Sequence, residues 1–292
     1  MKPTFAAVSF LSIASIALAS AEAQSTAGPA IAYVKVAGTA QDIHLVNPDG
    51  SGSRKIYTTP SKRAVGWLDL KPDGSEIAFT EIGKGVPRVI KIIPLNGGVP
   101  AGPAQTLSGP CAVDTLDYHP TEPVLIISDI CNQNPRIATI RTDGTGYTVL
   151  QSVGAYINKA RWLRDGVSYV YVRAPVDGGP LQICRNACDP SNGELLGTVN
   201  GVWGLDVGRT ANMILHDYGG PYITKRNADT GEVVASNYIN GTDGHYSPDD
   251  RYVLFETPHE ARGDYVQIYD TVTGLTTRLT GKGDYGAKDW RP

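Results

Sequence analysis

The chain is poor in the residues from which many catalytic and metal centres are built. Its 292 residues include five histidines, four cysteines, four phenylalanines and two methionines. There is no H-E-x-x-H pair, since His259-Glu260 is not followed by a second histidine, so a zincin-type metallopeptidase is excluded. No G-x-S-x-G elbow occurs, which argues against an α/β-hydrolase nucleophile. No glycine-rich loop ending in Gly-Lys-Ser/Thr is present, so nucleotide hydrolysis has no sequence support. A dominant charge is missing as well. Lys plus Arg number 26 against 29 Asp plus Glu, a net of −3, which gives no pull toward nucleic acid or an anionic membrane.

Long apolar runs are also scarce. The one candidate, Phe5 to Leu18, follows Lys2 and precedes Ala21-Glu22-Ala23. It is shorter than the ~20 residues that span a bilayer, and its flanks are those of a secretory signal peptide. Residues 1–23 are therefore expected to be a signal peptide, cleaved before Gln24, with 24–292 forming a single domain. Ala19-Ser20-Ala21 offers a second cleavage site. Export to the periplasm or the medium follows, with no membrane span, and a monomer is expected.

What the chain does have is turn residues, 33 glycines and 20 prolines, together with 15 tyrosines. They recur in two interleaved series. The first consists of tight turns, each after an alternating apolar run: Asn47–Gly52, Pro94–Gly98, Arg141–Gly146, Asp189–Gly193, Asn227–Gly231 and Asp270–Gly274. Each is followed by a second short run, the signal of a β-hairpin. The second series lies between these turns. It includes WLDLKPDGSEIAF from Trp67, LDYHPTEPVLII from Leu116 and ARWLRDGVSYVY from Ala160. LDVGRTANMILH from Leu205, HYSPDDRYVLFE from His245 and the terminal KDWRP complete it. Aligned on the proline position, its anchors are Pro72, Pro120, Arg164, Arg209, Pro248 and Pro292. Their spacing of 39–48 residues is that of a four-stranded propeller blade. The expected fold is thus all-β, a six-bladed β-propeller. Because the chain ends on only the first strand of a repeat, that strand is expected to pair with Ile31–Val36 and close the ring.

LKPDGSEIAF, YSPDDRYVLF and the terminal DWRP resemble the W-S-P-D-G-x-x-I-A-F repeat of the TolB-type propeller family, also described as a WD40-like or PD40 repeat. The resemblance spans about Ile31 to Pro292 and weakens in the second to fourth anchors, where the proline or the Asp-Gly is lost. It implies the same fold, and partners such as an envelope protein or lipoprotein docking on the propeller. TolB-type proteins also carry an N-terminal α/β domain, which is not expected here because the stretch between Gln24 and the first strand is short. The same repeat occurs in some polysaccharide lyases, so extracellular glycans are a second class of partner. Two functions follow: a non-enzymatic scaffold in the cell envelope, or alternatively a polysaccharide lyase or hydrolase with its site at the channel mouth. Binding by the scaffold is expected at Gly83 to Pro87, Asn132 to Pro135, Pro175 to Pro180 and Tyr218 to Tyr222.

Candidate site residues come from the innermost strand of each repeat. Three positions before the anchors stand Asp69, Asp117, Arg161, Asp206, His245 and Asp289. Their neighbours Leu70, Tyr118, Trp162, Val207, Tyr246 and Trp290 are all apolar or aromatic. Adjacent strand residues face opposite ways, so the apolar set is expected between blades and the polar set near the channel. There the polar ring has two readings: it binds a cation or a cationic side chain, or its carboxylates accept hydrogen bonds from a neighbouring blade. A channel-bound cation is the one cofactor this pattern suggests. His216, His245 and His259 are the candidates for a lyase-like metal site, against a reading as ordinary surface or hydrogen-bonded histidines. Asn47, Asp49 and Ser51 imitate the start of a calcium loop, but Thr58 stands where the closing glutamate would be. Cys111 with Cys131, and Cys184 with Cys188, are expected to form disulfides, the second needing a local bend. Zinc binding is the rival for the four thiols.

Overall fold

The alternation of apolar and polar residues along each run has its consequence in the computed structural model: almost every described residue outside the turns lies in an antiparallel sheet. The structure describes residues 31–109, 111–152, 156–175, 177–217, 222–257, 265–281 and 288–290. The segment expected to be a signal peptide, the Tyr218 end of one expected binding loop and His259 lie outside these.

Six sheets are arranged as the blades of a propeller. Blade 1 joins the two ends of the chain, with strand order Lys288–Trp290, Ile31–Ala37, Ala40–Val46 and Arg54–Thr58. The closing register pairs Ile31 with Trp290 and Tyr33 with Lys288. Blades 2 to 6 begin on the innermost strands Arg63–Leu70, Ala112–Tyr118, Ile157–Trp162, Leu205–Val207 and Thr242–Tyr246. The fourth strand of blade 2 is split into Val99–Pro100 and Gln105–Leu107, both paired with Val86–Asn96. All six sequence turns connect the third and fourth strands of a blade. In the Asn47–Gly52 turn, the Asp49 carboxylate accepts the Ser51 N–H at 2.9 Å, the local bond of an Asx turn.

Both faces of each blade are apolar, because each sheet is packed between two others. Adjacent residues consequently serve different cores. In blade 2, Ile77 and Phe79 pack toward blade 1, while Ala78 packs toward blade 3. In blade 5, Ile214 faces blade 4 and Leu215 faces blade 6. The closing joint follows the same rule, with Leu254, Val266 and Ile268 packed on Ile31, Tyr33 and Trp290. Among the described residues no helix is long and apolar enough to cross a membrane.

Both disulfides are formed. Cys111 and Cys131 close one end of the first hairpin of blade 3, with Cα atoms 5.2 Å apart. Cys184 and Cys188, 4.8 Å apart, span a bend in which Asn186 and Cys188 take positive φ values of 45° and 58°.

Candidate functional site: the central channel

The six ring residues are all buried, at 1–4% exposure. Their roles divide by chemistry. Each aspartate holds the backbone of the following blade. Asp289 accepts the Leu70 N–H at 2.8 Å, Asp69 that of Tyr118 at 2.6 Å, Asp117 that of Trp162 at 2.8 Å, and Asp206 that of Tyr246 at 2.8 Å. The donor in each case belongs to the aromatic or apolar residue beside the next ring member. One short strand thus supplies a packing side chain, a donor and an acceptor in consecutive positions.

Arg161 and His245 interrupt the series. Arg161 donates to the carbonyls of Leu116 (3.0 Å) and Ala160 (3.1 Å), and its Nε lies 3.7 Å from Asp206 Oδ1. His245 has Nδ1 3.9 Å from that same oxygen and Nε2 3.4 Å from Asp243 Oδ1. The cationic side chain nearest Asp206 is therefore the protein's own.

Trp67 reaches from the core between blades 2 and 3, where it packs with Ala78, Val113 and Leu116, into the channel. It belongs to blade 2, yet its ring centroid lies 4.5 Å from the Arg161 guanidinium carbon and 4.3 Å from Lys159 Nζ, both on blade 4. Its other neighbour, at 6.1 Å between ring centroids, is His245 of blade 6. A side chain that touches two other blades across the ring must reach into its middle. Two cations on one indole, out of bulk water, are each worth roughly 1–2 kcal/mol. Burial, opposed by Asp243, holds the Lys159 amine below the usual lysine range.

What brings these groups together is a set of β-bulges that the repeat does not announce. The innermost strand carries extra residues in blades 2, 3, 4 and 6, at Gly66, Asp114, Lys159–Ala160 and Asp243–Gly244. Such an insertion bends the strand and re-aims its side chains. Lys159 and Asp243 reach positive φ of 62° and 51° there. Gly66 is needed because a Cβ would come 2.8 Å from Thr80 Oγ1. Gly66 and Gly244, each inside a strand pattern, are the sequence signals for two of these bulges.

Above the plug, at the end where the innermost strands begin, charged groups surround the mouth. Asp114 is engaged by Arg88 and Asn158. Lys288 lies fully buried, with Nζ 2.8 Å from Asp243 Oδ2 and 2.9 Å from Glu256 Oε1. Burial alone would raise the Asp243 carboxyl, but Lys288 and His245 outweigh it and hold the group well below the usual carboxylate range. Asp217 accepts the N–H groups of Trp203 (2.6 Å), Gly204 (2.9 Å) and Asp243 (3.0 Å). Burial nevertheless raises its carboxyl. Around this polar rim two aromatics stand exposed, Trp203 at 63% and Tyr156 at 45%. The loops at 83–87 and 132–135 open at this same end, because they join the second and third strands of their blades.

The remaining histidines are dispersed. His216 lies on the second strand of blade 5 and lines a cavity between blades 4 and 5, whereas His245 faces the channel. His119 is structural: its Nδ1 accepts the N–H groups of Thr121 and Glu122, and Nε2 donates to Gly166 O at 2.7 Å. Among the described residues, one group of three potential metal-ligand atoms gathers within 4.8 Å, at Cys111, Asp129 and Cys131, and its sulfurs are bonded to each other.

No family model matches the chain, and no curated protein matches it in sequence. Solved structures do. TolB from Acinetobacter baumannii superposes with a TM-score of 0.69 at 19% identity, covering 90% of this chain and 67% of that one. A putative TolB from Agrobacterium tumefaciens gives 0.64 at 17% identity, covering 87% and 92%. An oligogalacturonate lyase in complex with manganese gives 0.55 at 16%, covering 77% and 70%. The fold is therefore that of a TolB-like propeller. Identities this low speak for the fold alone, which serves unrelated activities.

Proposed function

We propose that the protein is an exported, non-enzymatic scaffold that binds an envelope protein or lipoprotein at the channel mouth. The observation that carries this reading is the rim itself. Exposed Tyr156 is linked through Asn158 to Asp114, which Arg88 engages, and exposed Trp203 is held by its N–H on Asp217, on the face where the 83–87 and 132–135 loops open. Exposed aromatics ringed by polar groups are the composition of a protein-binding hot spot. The interior of the channel is committed to holding the blades together, through the backbone bonds of the aspartates and the Trp67 plug. Two disulfides and the Phe5–Leu18 segment support an oxidising, extracytoplasmic location.

The test is capture of the tagged protein from cross-linked cell envelopes, followed by mass spectrometry. A stoichiometric envelope partner, lost when Trp203 and Tyr156 are both changed to serine, is the expected result. A clean bait, or a partner unaffected by those changes, overturns the rim as the binding face.

The second reading, a polysaccharide lyase or hydrolase, draws on the likeness to the manganese-bound lyase. It requires turnover of a glycan at the mouth, and a panel of acidic polysaccharides with and without manganese tests it. Activity lost in His245→Ala would favour it.

A further inference from the structure

Between blades 4 and 5, away from the channel, lies a cavity of about 330 Å³ lined by residues of the outermost strand of blade 4 and the outer three strands of blade 5. That is room for roughly eleven waters at ~30 Å³ each, the scale of a monosaccharide. Its wall is rich in donors: His216, Arg226, Thr198, Thr224, Ser236 and Asn237. No carboxylate lines it.

Two of these groups are buried without the partners their chemistry requires. His216 is 2% exposed, and neither ring nitrogen makes a well-formed hydrogen bond among the described residues, the backbone of adjacent Asp217 offering a weak interaction alone. Arg226 is 8% exposed. Its Nη1 donates to the carbonyls of Leu196 (2.8 Å) and Gly231, while Nε is unpaired. No described carboxylate stands within ion-pair distance of the guanidinium, although buried arginines are ordinarily paired with one. The fold makes room for this arrangement at Gly197 (φ 151°), where a Cβ would come within 2.6 Å of Arg226 Nη1. Nearby Asp217 does not compensate, because it points away and accepts backbone N–H groups at the channel. Apolar Val199 and Val233, with half-exposed Tyr222 beside them, complete the lining.

We propose that this cavity is a binding site for a small hydroxylated organic anion, its carboxylate paired with Arg226 and His216 and its hydroxyls with the threonine, serine and asparagine side chains. A buried guanidinium facing space wide enough for a ligand is a ready partner for a carboxylate. The hydroxyl-bearing wall suits the polar body of an acidic sugar better than a bare ion. The site is separate from the channel mouth, so it stands or falls independently of the partner reading.

The test uses the full exported chain with glucuronate, glucose, acetate and inorganic phosphate as probes. Binding is followed by calorimetry and by the ¹⁵N imidazole signals of His216. Glucuronate is expected to bind saturably and to shift the His216 signals, with glucose weaker by about ten-fold or more, the effect of losing one charge-assisted bond. Arg226→Gln is expected to abolish the preference for glucuronate. Because Arg226 also caps two carbonyls, Ser236→Ala provides a second variant with less demand on the fold, expected to weaken glucuronate but not acetate. Phosphate or acetate binding as tightly as glucuronate would overturn the hydroxylated ligand. Unmoved His216 signals with every anion would overturn the site.

Discussion

Lys288 Nζ lies 2.8 Å from Asp243 Oδ2, joining the last strand of the chain to the innermost strand of blade 6. This pair lies where blade 6 meets blade 1, on the strand whose pairing with Ile31–Ala37 brings the two ends of the chain together. Four other joints are held by an aspartate on a backbone N–H. Where blade 6 meets blade 1, His245 replaces the aspartate, and the Lys288–Asp243–Glu256 cluster supplies a link there.

Replacing Lys288 by methionine is expected to destabilise the protein by about 3–5 kcal/mol, since it leaves two carboxylates short of a cation in a buried site. Guanidinium unfolding followed by circular dichroism measures this. A loss under about 1 kcal/mol would show that closure rests on the pairing of Ile31 with Trp290 and on apolar packing alone. The wild-type contribution of Asp243 has a defined pH window. Its folded pKa is depressed, so its stabilisation is present above the ordinary aspartate range and is lost as pH falls through the lowered value.

The aspartate bonds separate two contributions that alanine scanning would merge. Asp69→Ala leaves the buried Tyr118 N–H without an acceptor and is expected to cost about 1–3 kcal/mol. Asp69→Asn keeps an oxygen in place and is expected to cost less; its own loss reports the value of the charge, and the further loss in Asp69→Ala that of the acceptor. Equal losses in the two variants would mean that a neutral oxygen contributes nothing there and that the charge carries the whole bond.

The blade count, the strand order and the closing strand were legible because they depend on period alone: a repeat near 45 residues, turns in register and a truncated last motif. The ring aspartates were visible as positions, and acceptance of hydrogen bonds from a neighbouring blade was one of the two readings open to them; the particular donors needed the neighbouring blade, which no single repeat contains. Trp67 was hidden for a different reason. Within its own repeat it reads as another apolar residue preceding Leu68, and only ring closure brings Lys159 and Arg161 to it. The bulges at Lys159 and Asp243 cost one register step each, which the tolerance of an anchor alignment absorbs without trace. The cavity at His216 was illegible altogether, since its lining comes from four strands of two blades.

The two disulfides should contribute unequally. Cys111–Cys131 closes a separation of 20 residues and Cys184–Cys188 one of 4. Loop-closure entropy assigns them about 3 and about 2 kcal/mol. The double variants Cys111→Ser/Cys131→Ser and Cys184→Ser/Cys188→Ser, compared by thermal unfolding, are expected to lose stability in that order. The reverse order would point to local packing of Cys184 and Cys188, both nearly inaccessible, as the larger effect.

His216 should make stability fall on mild acidification, before most carboxylates titrate. Burial, reinforced by Arg226, pulls its folded pKa from 6.5 down to about 4. The unfolded chain therefore takes up the proton first as pH falls. The stabilising contribution is complete above about 6.5, declines between there and about 4, and is exhausted below. At pH 5.5 the loss amounts to about 1 kcal/mol from this group. His216→Gln, which cannot take the proton, is expected to flatten the dependence between pH 7 and 5, measured as the difference between the two proteins' unfolding free energies. An anion that pairs with Arg226 would relieve the repulsion on the imidazolium and make the wild-type decline shallower, whereas a neutral sugar would leave it unchanged. Parallel pH profiles for wild type and His216→Gln would mean that the imidazole is protonated as easily in the folded protein as in the unfolded chain, and would overturn its burial without a partner.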